Sequence, residues 1–374
     1  MLIALLMLTL ILGSITFLVN LAERDHRARW IALFGILSFI GLILFYWGGL
    51  MSVAQMPESD QLDFLEKPLD ATNTTYGFTV ILITLLISLF LLWEPFRLQI
   101  APLFPPPIQP QQTTLPPVLR WDGNIELSEH HIQMPVAKQE LLGFRPQSLM
   151  HTWALILMVV VFGSQIADFL AAGGLSGVSE NLAVNYESLI GQFVLEITLP
   201  LLGVGLFLRR DWRSVLQRLG LGSIGIQEIL VSFGITFGLW VGLIGIVIIW
   251  QLTVPPETFE QQNEASSALA DSINSLGLAF MVAFTAAVGE EIIFRGAMQP
   301  IFGLWPTAII FVVIHIQYTL TPAMLIILMV AIVLGYVRRY FNTTTAILIH
   351  FLYNFSQLVI GLVVSEAFIL GIFK

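Results

Sequence analysis

The chain is built from runs of about 20 mostly apolar residues, the length at which an α-helix crosses the hydrocarbon core of a bilayer. Such runs begin near Leu2, Trp30, Gly77, Leu149, Leu189, Ile229, Ile273, Leu304, Pro322 and Thr344. They predict an all-α, polytopic membrane protein of about ten transmembrane helices. Composition agrees: of 374 residues, 56% are hydrophobic and only 11% charged, where a soluble domain carries roughly 25% charged residues. The first run, MLIALLMLTLILGSITFLVN, has no basic residue before Arg24. A secretory signal would carry a positive start, so residues 2–21 read as a retained spanning helix.

The connecting segments set an orientation. Arg24, Arg27 and Arg29 follow the first run; Arg97, Arg120, Lys138 and Arg145 follow the third; Arg209, Arg210, Arg213 and Arg218 follow the fifth; Arg338 and Arg339 follow the ninth. The segments between, 51–76, 173–188 and 253–272, hold Lys67 alone. Thirteen of the sixteen Lys and Arg residues therefore fall on one side, which the positive-inside rule makes cytoplasmic. An even number of spans then puts both termini outside.

Three units follow along the chain: a three-helix membrane extension (1–98), a cytoplasmic Pro-rich segment (99–148), and a membrane domain (149–374) with its polar motifs inside 190–363. Pro105, Pro106, Pro107, Pro110, Pro116 and Pro117 predict a stiff, extended spacer, followed by a D-G turn in RWDGNIEL. His130 and His131 read as a solvated surface pair. The Arg-rich, amphipathic DWRSVLQRLGLGSIGI (211–226) predicts an interfacial helix. With no cysteine, disulfides and thiolate metal sites are excluded. A net charge of −9 and the absence of a basic tract exclude nucleic acid as a partner.

Ionisable groups inside spans are costly and mark function by default. In VGEEIIFRGAM, Glu291 and Arg295 are four apart and can pair on one helical face. That pairing keeps Glu291 ionised, a poor base and a structural brace. Glu290 is turned about 100° away without such a partner and is the better candidate to activate water. FVVIHIQY places His315 in the eighth span, followed by Gln317 and Tyr318. ILIHFLYNF places His350 and Asn354 on one face of the tenth. Measured from the cytoplasmic ends, Glu290, His315, His350 and Asn354 lie at depths of about 9 to 15 Å, so one pocket opening to the cytoplasm can gather them. Asp168 (with Gln165) and Glu196 read as packing or hydrogen-bonding groups at least as readily as chemical ones.

Two carboxylates, two imidazoles, an amide and a guanidinium fit peptide-bond hydrolysis, with a carboxylate as base and imidazole and amide donors on the oxyanion. Neither HExxH nor GxSxG is present. The sequence resembles the CPBP family, the type II CAAX prenyl endopeptidases and bacteriocin-immunity-type membrane proteases. Glu290 to Arg295 matches EExxxR, Phe311 to His315 matches FxxxH, and His350 to Asn354 matches HxxxN. The resemblance covers about residues 190–363 and leaves residues 1–148 without a family role. It implies a helical core with the site in a membrane cavity, water activated by Glu290 and His315, and an oxyanion held by His350 and Asn354. It also raises a divalent metal such as zinc, for which Glu290, His315 and His350 are the candidate ligands.

The resemblance implies a membrane-associated protein or peptide as substrate and the lipid bilayer as the other partner. No eukaryotic signal is evident, which points to a bacterial inner membrane. The alternative on the same fold is a non-catalytic scaffold or bacteriocin-immunity factor. A transporter using Glu290 and Glu291 as a proton relay calls for inverted repeats, and none is evident.

Overall fold

The computed structural model describes residues 1–62, 65, 67–107, 142–174, 184–260, 262–263, 272–315 and 321–369. Every apolar run becomes a helix. They are α1 (Leu2–Ala22), α2 (His26–Ala54), α3 (Ala71–Leu92), α4 (Leu149–Ala171), α5 (Tyr186–Gly203), the short amphipathic α6 (Trp212–Leu219) and α7 (Ile226–Thr253). Next come α8, which starts as Leu276–Glu291 and continues to Phe302, then α9 (Leu304–Val313), α10 (Ala323–Tyr340) and α11 (Thr343–Ile369).

Among the described residues, eight helices are long and apolar enough to span a bilayer. The two that depart from the expected ten do so for separate reasons. Helix α5 has 18 residues but carries Glu187 and Glu196, which dilute its apolar character. Helix α9 has only 10 residues and ends at Val313, so His315 lies just past a helix end and not in mid-span. Gln317 and Tyr318 lie outside the described residues.

Helix starts are fixed by side chains that take the first open backbone donors. Asp25 accepts from Arg27 N at 2.9 Å, Asp70 from Asn73 N at 2.7 Å, Asn185 from Ser188 N at 2.9 Å, and Asp211 from Ser214 N at 3.0 Å. The basic segments gather at one end of the bundle. Glu23, between α1 and α2, accepts from Ser148 Oγ at 2.8 Å, and Arg97 donates to Pro146 O at 2.6 Å. Thr343, at the start of α11, donates to Leu219 O at 2.6 Å.

Helices α1 to α4 share one apolar core, within which Trp153 Nε1 donates to Thr16 Oγ1 at 2.9 Å. That core is not detached from the rest. Helix α1 packs along α5, and buried Asn20 donates to Gly203 O at 3.0 Å. Both described ends of segment 99–148 dock on the end of α8. Gly143 N donates to Pro300 O at 3.1 Å, and Phe104 and Phe144 pack on Phe302 with ring centroids 5.5 and 5.9 Å away. The span between, with most of the Pro-rich run, the D-G turn, His130 and His131, lies outside the described residues. Helices α3 and α4 approach closely because Gly163 has no side chain: a Cβ there would overlap the Thr84 hydroxyl.

Packing and orientation can each be tested. Gly163→Ala must push α3 from α4 and should destabilise by about 1–3 kcal/mol, read as a lower melting temperature in detergent; an unchanged melt would contradict the packing. Ser59 and Ser214 are exposed on opposite sides by the alternation, and the chain has no cysteine of its own. With an impermeant maleimide, Ser59→Cys should label from outside and Ser214→Cys only from the cytoplasmic face. Labelling from one side would overturn the alternation.

Candidate active site

The first motif sits on irregular backbone. After Glu291, residues Ile292–Met298 wind as a π-helix before α-helix resumes at Gln299. Such a turn breaks the i→i−4 ladder, and π turns recur at functional sites. Its carbonyls find other donors. Arg338 Nε donates to Arg295 O at 3.0 Å, while Arg218 donates to Gly296 O at 2.8 Å and Ala297 O at 3.3 Å. Gln299 Nε2 donates across to Gly335 O at 2.8 Å, pinning α8 to α10. Arg218 belongs to α6, so the helix expected to lie on the surface turns one guanidinium inward. Burial, then the neighbouring Arg210, Arg338 and Arg209, pull that guanidinium down to about 9, and it stays charged at neutral pH.

The Glu291–Arg295 pair forms as the spacing predicts, at 3.2 Å, with both groups buried. The structure adds a third member. His350 Nδ1 lies 2.8 Å from the same Glu291 oxygen. An ionised carboxylate only accepts, so Nδ1 carries the proton and donates. Arg295 also donates to Ala331 O at 3.2 Å and lies 4.3 Å above the Phe311 ring. Phe311 is 2% exposed and links the motifs. Its ring centroid is 4.9 Å from His315, 6.1 Å from His350 and 5.2 Å from Phe294. The phenylalanine of the second motif is thus the wedge between both imidazoles and the guanidinium: Arg295 lies over its face, His350 meets it edge-on, and His315 is tilted against it.

Glu290 points elsewhere. It is 6% exposed, and its Oε2 is buried without a hydrogen-bond partner. Leaving a buried carboxylate oxygen open costs free energy, so the position calls for a ligand, a water or a function. Its charged neighbours are Arg295 on its own helix and Glu196 on α5. Glu196 reaches it because Gly289 has no side chain; a Cβ there would overlap Glu196 Oε2. Gln192 Nε2 holds the other Glu196 oxygen at 2.7 Å. In sequence, Glu196 has no preference for chemistry over packing. The available signal is a glycine beside the motif and an acid on the preceding span, but their apposition is not local in sequence.

His315 donates through Nδ1 to Phe311 O at 2.7 Å, since a carbonyl can only accept. In the neutral ring, Nε2 then carries the lone pair. Asn354 is half-buried one turn beyond His350. Asp168, with Gln165, lies near the far end of α4 and is exposed. Among the described residues no three His, Asp or Glu side chains converge as a metal-ligand set, Glu290, His315 and His350 included.

Residues 272–356 match the family model described as "Type II CAAX prenyl endopeptidase Rce1-like". No curated protein and no solved structure matches the chain. The matched segment holds Glu290 to Arg295, Phe311 to His315, and His350 to Asn354 together. The similarity to this family is confined to residues 272–356, and the rest of the chain lies outside the match.

Proposed function

We propose that this integral membrane protein is an intramembrane endopeptidase that cleaves a peptide bond of a membrane-associated protein or peptide. The observation that carries this reading is the open Oε2 of Glu290, buried beside a second carboxylate within a segment that matches an endopeptidase family. A buried carboxylate with an uncommitted oxygen is what a general base needs.

In this reading Glu290 takes a proton from water as the water oxygen bonds to the scissile carbonyl carbon. The neutral Nε2 of His315 accepts the second hydrogen of that water and orients it. The carbonyl electrons move onto oxygen, and the oxyanion is held by Nε2–H of His350 and the Asn354 amide. With Nδ1–H donated to Glu291, His350 offers a second N–H at Nε2 only when both ring nitrogens carry protons. Glu291 is thus a positioning residue for His350, not merely a brace for its own helix. When the tetrahedral centre collapses, the C–N bond breaks and Glu290 returns its proton to the leaving amine. Glu196 keeps the Glu290 carboxylate facing the pocket. By the positive-inside rule we place the basic end of the bundle, and the mouth of the site, on the cytoplasmic side.

The test is cleavage of a library of membrane-tethered peptides by the purified protein. Glu290→Gln should melt like the native protein and lose on the order of 10²–10⁴ in turnover. Asn354→Ala should lose about 10²–10³ in kcat with little change in KM. Glu291→Gln should lower the melting temperature and keep part of the activity. Native protein without turnover would leave a non-catalytic scaffold as the better reading, and an active Glu290→Gln would remove Glu290 as the base.

A second measurement addresses Glu196. Gly289→Ala must displace the Glu196 carboxylate and shift Glu290 with it. Activity per folded molecule should fall by on the order of 10², as misplacements of about 1 Å do. Unchanged turnover would remove Glu196 from the site.

A further inference from the structure

Away from the motifs, the turn between α5 and α6 forms a basic pocket at the end of the bundle. Arg24, Arg209 and Arg210 line a cavity of about 410 Å³ together with Phe207, Asp211 and Trp212. A water occupies about 30 Å³ of liquid, so the cavity holds a hydrated phosphate with room to spare. Arg209 Nε is buried there without a hydrogen-bond partner. Burial holds Arg209 below the usual guanidinium value; Glu23 opposes that, while the like charges of Arg210 and Arg24 add to it. The nearby acids are engaged elsewhere. Glu23 accepts from Ser148 Oγ at 2.8 Å and Met150 N at 2.9 Å, and Asp211 caps α6 through Ser214 N at 3.0 Å.

The rim is aromatic and exposed. Phe207 is 82% exposed and Trp212 56% exposed. Phe207 also has φ +66°, the sole non-glycine residue with positive φ among those described. A bulky side chain in that region is strained, and such strain persists where surrounding structure imposes it. Here the turn is held by Gly205 O, which accepts from Arg209 N at 2.9 Å and Arg210 N at 3.0 Å, and by Arg210, which donates to Val204 O. The result leaves the Phe207 ring exposed beside the arginines that line the cavity. Aromatic rings favour that boundary, and basic clusters next to it attract anionic lipid.

We infer that this pocket binds the phosphate of an anionic phospholipid headgroup, with Arg24, Arg209 and Arg210 on the phosphate and the Phe207 and Trp212 rings at the acyl boundary. The charge of the phosphate offsets the crowding of three cations. The site is independent of the peptidase reading, since none of these residues belongs to the three motifs.

The experiment is thermal melting of the full-length protein in neutral detergent, titrated separately with dihexanoyl phosphatidylglycerol, dihexanoyl phosphatidylcholine and inorganic phosphate. Phosphatidylglycerol should raise the melting temperature saturably, at concentrations where the other two have little effect. Arg24→Gln and Arg209→Gln should each raise its half-maximal concentration about five-fold, the effect of one surface arginine. Arg24 is exposed on its loop, so that variant reports even if Arg209→Gln fails to fold. Phe207→Gly should relieve the backbone and also weaken the lipid effect. Equal stabilisation by phosphatidylcholine, or an unaltered titration with Arg24→Gln, would overturn the inference. Inorganic phosphate matching the lipid would assign the pocket to a soluble anion and overturn the lipid source.

Discussion

In lipid, every carbonyl that a helix releases must find a donor within the protein, and the π turn at Ile292–Met298 releases several at once. Their partners come from two helices: Arg338 reaches in from α10 to Arg295 O, and Arg218 from α6 to Gly296 O and Ala297 O. Remove these donors and the irregular segment has no reason to persist over a regular helix. The motif glutamates stand directly before this segment, so their directions depend on it. The arginines near the membrane surface therefore do two different jobs. Arg218 and Arg338, counted above among the residues that set the expected orientation, also hold the backbone of the candidate site.

The site is also held by sharing. One oxygen of Glu291 serves Arg295 and His350 together, and one ring, Phe311, contacts residues of all three motifs. Such shared contacts couple the elements, so effects of substitutions there should not add. They leave open one oxygen of Glu291 and, next to it, Oε2 of Glu290. The acid that approaches it, Glu196 of α5, does so over the bare Cα of Gly289.

The spans are legible in the sequence because length, hydropathy and the alternation of arginines are local or additive properties, and each apolar run is a helix. The motif spacing likewise yields the Glu291–Arg295 pair, which depends on helical periodicity alone. Three features are not legible. The π turn resembles an α-helix in its residue pattern. The early end of α9, which leaves His315 beyond a helix and not within one, is hidden by apolar residues on both sides of the break. The contact of Glu291 with His350 joins positions 59 apart, and periodicity cannot supply a partner on another helix. Glu196 escapes notice for the same reason.

The bond between Glu291 and His350 has a consequence for biosynthesis. Helices enter the membrane in chain order, and His350 lies on α11, the last of those described. Until that helix arrives, Glu291 has Arg295 but not the imidazole, and Asn354 is also absent. The nascent protein thus inserts Glu290 and Glu291 before the helix that carries His350 and Asn354 has emerged. The Glu291–His350 bond can form only once α11 has joined the bundle.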